Sequence, residues 1–497
     1  MRRDVSILII ITLITLASRL FMAFQTSEFS DDGSYFVLRQ VESIREKGKL
    51  LYEDRLSFGG REINLNPFYY YFLAFFTFFM PVKTAGKIIP NILASLLVPI
   101  IYLLSYNLTR NRHLSLFAAF ISGFIPILFR ESFNSVSPLS LVLPLMFLTL
   151  YLVMKLPENN KFAAITIILM FFLIGTSAAS FILMAALVFY VVLCKLEKIK
   201  IEKSEAEIII FFVLLTFWSQ FLFYKKAFLM QGTSIIWRNI PLSLLSNYFS
   251  QFKILNAIYA IGLIPFFCGV YVIYRFLFNL KSKKLYLLIS FFITILIFLW
   301  FRLVELKSGL VYMGITLVVL FTVFLKITNQ FIMKTKFAAY QSYFFFFLIA
   351  IFVVTSLIPS FSMASQKLEE APASSEVKAY EWLGKNTPEG STILTTLEEG
   401  HLLTYFGRRK NVADTNFLLI NNPGQRLEDI KKMYTTPFLT EAISLMNKYN
   451  ISYVFFSYKA KDSFGIEELK YLDPDCFEKV YSQGVIIYRV LCKIEKV

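Results

Sequence analysis

The chain has 497 residues, of which 57% are hydrophobic and 17% are charged, and its formal net charge is +16. A soluble domain carries about 25% charged residues, so this composition indicates an integral membrane protein and excludes an ordinary soluble enzyme. The Lys and Arg residues stand in short clusters between apolar runs, which is the pattern of cytoplasmic loops. We therefore expect a lipid bilayer, and no nucleic acid, as the chain's partner.

The first apolar run extends from Val5 to Phe24 and follows Met1-Arg2-Arg3. It is longer than the roughly 7–15 residues of a signal peptide's apolar segment, and it has no small-residue cleavage site. Its length suits a membrane span. We therefore expect a retained transmembrane helix.

Two adjacent carboxylates, Asp31 and Asp32, follow this first span. A carboxylate beside hydrocarbon is costly unless it faces water, pairs or binds a cation, so the two acids form a candidate functional site. The alternative is that they only cap the next helix, because Asp favours N-cap and first-turn positions. The pair alone leaves both interpretations open.

The rest of this loop is predicted to begin with an amphipathic surface helix over residues 32–49, ended by Gly48. A turn-rich stretch follows, in which Gly59-Gly60 permits a close backbone approach. Arg61, directly after them, can clamp a phosphate. It can equally extend its charge from the membrane interface into water.

A short aromatic run at residues 66–80 is ambiguous. Counting it as a span would place the basic loops of the chain outside, against the positive-inside rule, so we predict an amphipathic or re-entrant helix at the outer interface. The N-terminus is then inside and the C-terminus outside. Apolar stretches of spanning length predict about eleven spans, near residues 5–24, 88–106, 114–130, 136–154, 162–176, 179–194, 207–224, 255–278, 285–302, 310–326 and 339–361.

Ionisable groups gather on the outer side in this orientation. Glu131 follows the third span and can act as a base or simply form a salt bridge with Arg130. Arg302 ends a span and is the first candidate for a phosphate ligand. Arg238 and Lys307 are further candidates, and each of these cations can instead lie at the interface without a substrate role.

The composition changes from apolar to mixed charge near residues 365–372, so we expect a transmembrane domain over 1–365, with its first outer loop at 25–87, and a soluble domain over 366–497. The patterns of the second domain predict an extracytoplasmic α/β fold. Cys476 and Cys492 bracket a predicted hairpin and can form a disulfide if this region is outside the cell. The predicted helices are 374–386, 398–406, 425–434 and 437–449, and the predicted strands are 391–396, 452–456, 477–481 and 485–490.

Three parts of the sequence resemble the GT-C membrane glycosyltransferases, in particular the oligosaccharyltransferase catalytic subunits and the protein O-mannosyltransferases. The first part is the outer loop, with its acids, an aromatic pair, an arginine, a later aspartate and a Gly-Arg. The second is the acidic motif after the third span, and the third is the entry to the soluble domain. The residues are Asp31-Asp32, Tyr35-Phe36, Arg39, Asp54 and Gly60-Arg61; Arg130 to Asn134; and Tyr380 to Pro388 with Gly400 to Asp414.

The resemblance implies a GT-C-like fold and the transfer of a sugar or oligosaccharide from a polyprenyl (dolichyl-type) phosphate-linked donor to an extracytoplasmic protein, lipid or glycan acceptor. It implies a multi-pass protein of the cytoplasmic membrane. We expect catalysis by Asp31, Asp32 and Glu131, which are also candidate oxygen ligands for Mg²⁺ or Mn²⁺. The predicted substrate-binding residues are Arg39, Asp54, Arg61, Asn134 and Arg302.

The sequence departs from the family on the acceptor side. Thr396 to Glu399 replaces the family's Trp-Trp-Asp, and residues 234–241 contain no acid. No nucleotide-binding motif is present, so we expect no nucleotide cofactor. The alternatives are a transporter or flippase of a lipid-linked substrate and an inactive GT-C-like scaffold. Acids at span ends, without evident repeats, favour an enzyme over a transporter.

Overall fold

The computed structural model of the chain describes residues 2–159, 161–250 and 253–493. The chain divides into two units, which we call the helical unit and the mixed unit. The helical unit comprises Met1–Ser27, Leu65–Phe223 and Tyr248–Glu369, and the mixed unit comprises Glu28–Asn64, Tyr224–Asn247 and Glu370–Val497. The domain ranges expected from composition, 1–365 and 366–497, stay a prediction.

Helices account for most of the described chain because long apolar runs satisfy their backbone hydrogen bonds internally as helices. In chain order they are α1 (Arg2–Ala23), α2 (Asp32–Lys47), α3 (Phe68–Phe76), α4 (Val82–Ser95), α5 (Leu97–Thr109), α6 (Arg112–Gly123), α7 (Pro126–Ser132), α8 (Leu139–Lys155), α9 (Phe162–Thr176), α10 (Ser180–Leu196), α11 (Lys203–Gln231), α12 (Leu242–Ser250), α13 (Ile254–Ile261), α14 (Leu263–Phe278), α15 (Lys283–Trp300), α16 (Leu306–Ile332), α17 (Gln341–Phe352), α18 (Ile358–Glu369), α19 (Ser374–Asn386), α20 (Gly400–Leu402), α21 (Pro423–Thr435), α22 (Leu439–Lys448) and α23 (Tyr458–Phe464).

The apolar helices match the predicted spans. Within the described residues, six helices are long and apolar enough to cross a membrane, or up to eight if each of two bent pairs is one span. The shorter apolar helices α8, α9 and α10 coincide with three further predicted spans. Together with the small C-terminal sheet, these helices confirm the predicted polytopic helical fold class.

Two of the predicted spans are bent. α6 and α7 meet at 46° directly before Pro126, because a proline disfavours helical backbone at the residue that precedes it. α13 and α14 meet at 98°. The residue between α13 and α14 is Gly262, with φ of +104°, a backbone conformation that favours glycine.

The aromatic run that the sequence left ambiguous forms the nine-residue helix α3. At 1.5 Å per residue this helix is roughly 14 Å long, about half of the ~30 Å hydrocarbon core of a bilayer. Its length agrees with the prediction that this segment does not span. Its location at the outer interface stays a prediction.

The mixed unit contains a five-stranded sheet in the order β4-β3-β5-β7-β6. β3 pairs in parallel with β4 and β5, and β7 pairs antiparallel with β5 and β6. A disulfide joins Cys476 and Cys492 at the β6–β7 hairpin. The strands of the chain are β1 (Glu53–Asp54), β2 (Arg61–Glu62), β3 (Thr392–Leu394), β4 (Lys410–Asn411), β5 (Ile451–Phe456), β6 (Phe477–Ser482) and β7 (Ile486–Val490).

Helix α2 differs from the surface helix expected at residues 32–49. It ends as predicted at Gly48, which has φ of +69° and donates its N–H to Ile44. Its apolar side is buried within the mixed unit, with Tyr35 and Leu38 at 0% exposure. The helix is therefore part of the unit's core.

Candidate functional site

Asp31 is the N-cap residue of α2, and its backbone is extended (φ −126°, ψ 124°). Its side chain makes no capping hydrogen bond, and the residue is partly exposed. Gly33 leaves room beside it, because a Cβ at position 33 would lie 3.2 Å from Asp31 Oδ2. The Asp31 carboxylate is therefore not used in capping, and the residue as a whole is partly exposed.

Asp32, the next residue, is bound within the protein. Its Oδ2 accepts the N–H of His401 at 3.2 Å, and its Oδ1 accepts the N–H of Leu402 at 2.8 Å. Burial raises the pKa of Asp32 well above its ordinary value, although these two bonds oppose that shift. The sequence offered capping of the helix that follows as the alternative to chemistry. Asp32 instead caps a segment whose two N–H donors lie 369 and 370 residues away in sequence.

We call residues 400–407 the capped segment. It begins with the turn α20 and continues as a π-helical turn, Leu403–Gly407. The residues before it, Thr396 to Glu399, form a capping box in which Glu399 accepts the Thr396 N–H at 3.1 Å and its hydroxyl at 2.7 Å. This capping box therefore directly precedes the capped segment.

Side chains of α2 cover the capped segment along its length. The Tyr35 ring lies 5.4 Å from Tyr405 and 5.3 Å from Phe406, measured between centroids. The Tyr405 hydroxyl donates to Glu42 Oε1 at 2.9 Å. Phe36 lies 5.2 Å from the His401 ring.

Arg39 and Asp54 form a bidentate ion pair, with N–O distances of 2.9 and 2.8 Å. Ser57 Oγ also donates to Asp54, at 2.6 Å. Burial alone would raise the pKa of Asp54, but the Arg39 charge and hydrogen bonds outweigh burial and hold this pKa well below its ordinary value. The aspartate is ionised and fixes Arg39.

Arg61 pairs with Asp414 in the same bidentate manner, at 2.8 and 3.0 Å. It also donates to the backbone carbonyl of Asn416. Burial opposes ionisation of Asp414, yet the Arg61 charge holds the pKa of that carboxyl below its ordinary value. His401 Nε2 lies 3.7 Å from Asp414, and burial lowers the pKa of His401.

Glu131 and Asn134 lie in the helical unit, at the end of α7 and just after it. Glu131 Oε1 is 3.5 Å from Arg130 Nε, which is the salt bridge that the sequence left as an alternative. Asn134 Oδ1 accepts a hydrogen bond from Lys87 Nζ at 2.6 Å. Lys87 also donates to the carbonyls of Ala23 and Thr26.

Sequence reasoning missed Lys87 and a second buried cation, Arg19. Arg19 is 1% exposed and donates to Asn91 Oδ1 at 3.1 Å and Ser132 Oγ at 2.7 Å. The signal was available, because an arginine inside an apolar span is a functional-site hypothesis by default. These bonds tie α1 and α4 to α7, the helix that carries Glu131.

The remaining predicted cations are exposed. Arg302 lies in the turn between α15 and α16 with φ of +58°. Lys307 lies in the first turn of α16, and Arg238 follows the short 3₁₀ helix Gly232–Trp237. Within the mixed unit the structure thus brings together Asp32, Arg39, Asp54 and Arg61, whereas Glu131, Asn134 and Arg302 belong to the helical unit.

The predicted metal ligands Asp31, Asp32 and Glu131 do not form a cluster: the two aspartates belong to the mixed unit and Glu131 to the helical unit. Among the described residues, no group of three or more His, Cys, Asp or Glu side chains is placed to hold a metal ion. Asp32 is not suited to be a metal ligand, because both of its carboxylate oxygens accept backbone N–H groups. We therefore assign no metal ligand among the residues that the structure describes.

A scan against models of known protein families finds no match, and a search of curated proteins finds no relative. Solved structures do match. An archaeal oligosaccharyltransferase, AglB from Archaeoglobus fulgidus, solved with an inhibitory peptide and a dolichol-phosphate, has a TM-score of 0.69 at 14% identity over 92% of this chain and 70% of its own. Another structure of the Archaeoglobus fulgidus enzyme, in complex with Zn and sulfate, has a TM-score of 0.65 at 14% identity over 92% of this chain and 68% of its own.

ArnT from Cupriavidus metallidurans, bound to undecaprenyl phosphate, has a TM-score of 0.54 at 11% identity over 98% of this chain and 97% of its own. Both proteins are GT-C glycosyltransferases. The chain therefore has the fold of the GT-C membrane glycosyltransferases, as the resemblance in its sequence predicted.

Proposed function

We propose that this chain is a membrane glycosyltransferase that transfers a sugar or an oligosaccharide from a polyprenyl-phosphate-linked donor to an acceptor outside the cytoplasm. The observation that carries the proposal is its fold. The fold is shared over at least 92% of the chain with two glycosyltransferases, of which one was solved with dolichol-phosphate and the other with undecaprenyl phosphate. Both of these ligands present a phosphate at the end of a long apolar chain.

We place the chain in the cytoplasmic membrane with its N-terminus inside and its C-terminal residues outside. The basic loops between spans support this orientation. The disulfide between Cys476 and Cys492 also supports it, because disulfides persist in oxidising compartments and are rare in the cytosol.

Asp31 is the proposed general base. In the reaction, a nucleophilic atom of the acceptor forms a bond to the anomeric carbon of the sugar, and the bond from that carbon to the phosphate oxygen breaks. The phosphate leaves with the electron pair of that bond, and Asp31 takes the proton that the acceptor loses. A positioned base of this kind contributes typically about 10²–10⁴-fold to a rate.

Glu131 is the proposed second acid, and Asn134 and Arg302 are the proposed substrate-binding residues of the helical unit. Positive charge stabilises a departing phosphate, and exposed Arg302 can supply it. The bonds of Arg19 to Asn91 and Ser132 hold the helix that carries Glu131. That support gives the second acid a fixed position.

For Arg39, Asp54 and Arg61 we propose a supporting role instead of the direct substrate contact implied by the resemblance. Each arginine makes a bidentate ion pair with a buried carboxylate. Such pairs fix geometry. They would hold the loop between α2 and β2 in the shape that presents Asp31.

The proposed acceptor is a protein, a lipid or a glycan. By the resemblance, Thr396 to Glu399 stands where the family has its peptide-reading motif, and the structure shows a capping box there, so we do not propose recognition of a peptide sequon. The donor side therefore carries the proposal.

The experiment compares lipid-linked sugars in cells that contain the chain, lack it, or contain the Asp31→Asn variant. Polyprenyl-phosphate-linked sugars are extracted and quantified by mass spectrometry. We expect them to accumulate in cells without the chain and equally in cells with Asp31→Asn. Pools that do not change when the chain is removed would contradict the proposal.

A further inference from the structure

We infer that Asp32 is a positioning residue: its carboxylate pins the capped segment, residues 400–407, against α2 and thereby fixes Asp31, the residue before it. The inference rests on the proposed function only for the role of Asp31. The pinning itself concerns contacts within the mixed unit and can be tested without a turnover assay.

Both oxygens of Asp32 are engaged by the backbone. The N–H groups of His401 and Leu402 lie at the start of the capped segment, where helical N–H groups have no acceptor within their own helix. One carboxylate accepts both, at 3.2 and 2.8 Å. Withdrawing the carboxylate to take a substrate proton would leave buried backbone donors without acceptors, which is costly.

The far end of the capped segment is held by the same helix. Glu42 accepts the Tyr405 hydroxyl at 2.9 Å. Ten residues separate Asp32 and Glu42, which is roughly 15 Å along an α-helix. Tyr35 lies between these two attachments and packs on Tyr405 and Phe406. Helix α2 and the capped segment are therefore joined at both ends of the segment.

The capped segment is also held from its other side. A Cβ at Gly400 would lie 2.4 Å from the carbonyl oxygen of Ala413, and one at Gly407 would lie 3.2 Å from that of Tyr380. Backbone approaches this close leave the segment no room to shift away from α2. Because Asp31 is the N-cap residue of α2, these contacts also fix the position of Asp31.

The two neighbouring acids thus have different tasks. Both residues are partly exposed, but Asp31 makes no capping bond, so its carboxylate can meet a substrate. Asp32 faces two amides of its own chain. Exchanging the acids' roles would require breaking both bonds to the capped segment.

The test uses the full-length chain in lipid vesicles and three variants, Asp31→Asn, Asp32→Asn and Asp32→Ala. Backbone hydrogen exchange at His401 and Leu402 is measured by mass spectrometry. We expect exchange about tenfold faster in Asp32→Ala, a smaller increase in Asp32→Asn because its remaining carbonyl still accepts one N–H, and wild-type exchange in Asp31→Asn. Wild-type exchange in both Asp32 variants would overturn the inference.

Turnover of polyprenyl-phosphate-linked sugars separates positioning from catalysis. We expect kcat to fall about 3–10-fold in Asp32→Asn and about 10–100-fold in Asp32→Ala, with the donor KM within twofold of wild type, because misplacing a catalytic group by about 1 Å costs up to roughly 10²-fold. Asp31→Asn loses at least 10²-fold. A kcat for Asp32→Asn as low as that of Asp31→Asn, with wild-type exchange, would make Asp32 catalytic and overturn the inference.

The turnover measurement and the exchange measurement test separate claims. If the wild-type chain transfers no sugar, the proposed function is wrong, and the exchange measurement still decides whether Asp32 pins the capped segment. If Asp32→Ala does not fold, Asp32→Asn decides the same question, since an amide replaces the carboxylate at nearly unchanged volume.

Discussion

Asp31 and Asp32 are adjacent and have the same side chain, but their carboxylates have different hydrogen-bond partners. Asp31 precedes the first helical residue of α2 and makes no capping hydrogen bond, while Asp32 begins the helix and accepts hydrogen bonds from the capped segment. The sequence located both acids and offered capping as the alternative to chemistry. It did not separate them, because Asp32's partners are 369 and 370 residues away.

Arg61→Ala tests the buried ion pair with Asp414. Removing one partner of a buried pair leaves an uncompensated charge, so we expect a loss of roughly 3–5 kcal/mol in the free energy of unfolding. The matched control is Lys226→Ala, which removes an exposed ion pair to Glu62 and should cost at most about 1 kcal/mol. Thermal unfolding in lipid vesicles compares them, and equal effects would show that the buried pair contributes nothing special.

His401→Gln tests the titration of a buried histidine. Burial lowers the pKa of His401 in the folded chain, so below its ordinary value of about 6.5 the unfolded chain binds the proton more readily. Wild-type stability should therefore fall as the pH drops below 6.5, by at most about 1.4 kcal/mol per pH unit. The difference in melting temperature between wild type and variant, followed from pH 7.5 to 5.5, measures the contribution of His401 protonation to stability. A difference that stays constant over this range would show that His401 makes no such contribution.

Among the secondary-structure elements, the helices were predicted well from the lengths of the apolar runs. The turns and bends between them were predicted poorly. The predicted span 162–176 and helix 374–386 coincide with α9 and α19, since each is bounded by a clear change of composition. The bends were not predicted, although Pro126 and Gly262 were visible. Strand β4 was missed because two residues, Lys410 and Asn411, carry no periodic pattern.

Gly262→Ala tests the bend between α13 and α14. Position 262 has φ of +104°, and an added Cβ would lie 2.7 Å from Ser356 Oγ. We expect a loss of roughly 1–3 kcal/mol in stability, because a side chain in this conformation is strained. Gly390→Ala is the control, since an added Cβ there meets nothing within 4 Å. Similar melting temperatures for the two variants would contradict the account of the bend.

For the chain as a whole, the sequence predicted the fold class. It did not predict to which unit the first outer loop belongs. The polytopic organisation follows from hydropathy alone. Residues 28–64 belong to the mixed unit through polar pairs such as Arg61 with Asp414, separated by 353 residues. Local sequence patterns do not predict a pair between residues so far apart in the chain.

Cysteine labelling tests the orientation. Lys203→Cys and Glu389→Cys place thiols at exposed positions in a background with Cys194 and Cys268 replaced by Ala. A membrane-impermeant maleimide applied to intact cells should label position 389 and not position 203. Labelling of position 203 alone would invert the chain in the membrane.

Sugar transfer can be measured with purified chain in vesicles that contain radiolabelled polyprenyl-phosphate-linked sugars extracted from native membranes, together with acceptor material from the same membranes. The label is followed from the organic phase into product. We predict that the wild-type chain moves the label and that Asp31→Asn does so at least 100-fold more slowly, which is within the range expected for a lost general base. Equal transfer by the two proteins, or no transfer by either, would contradict the account.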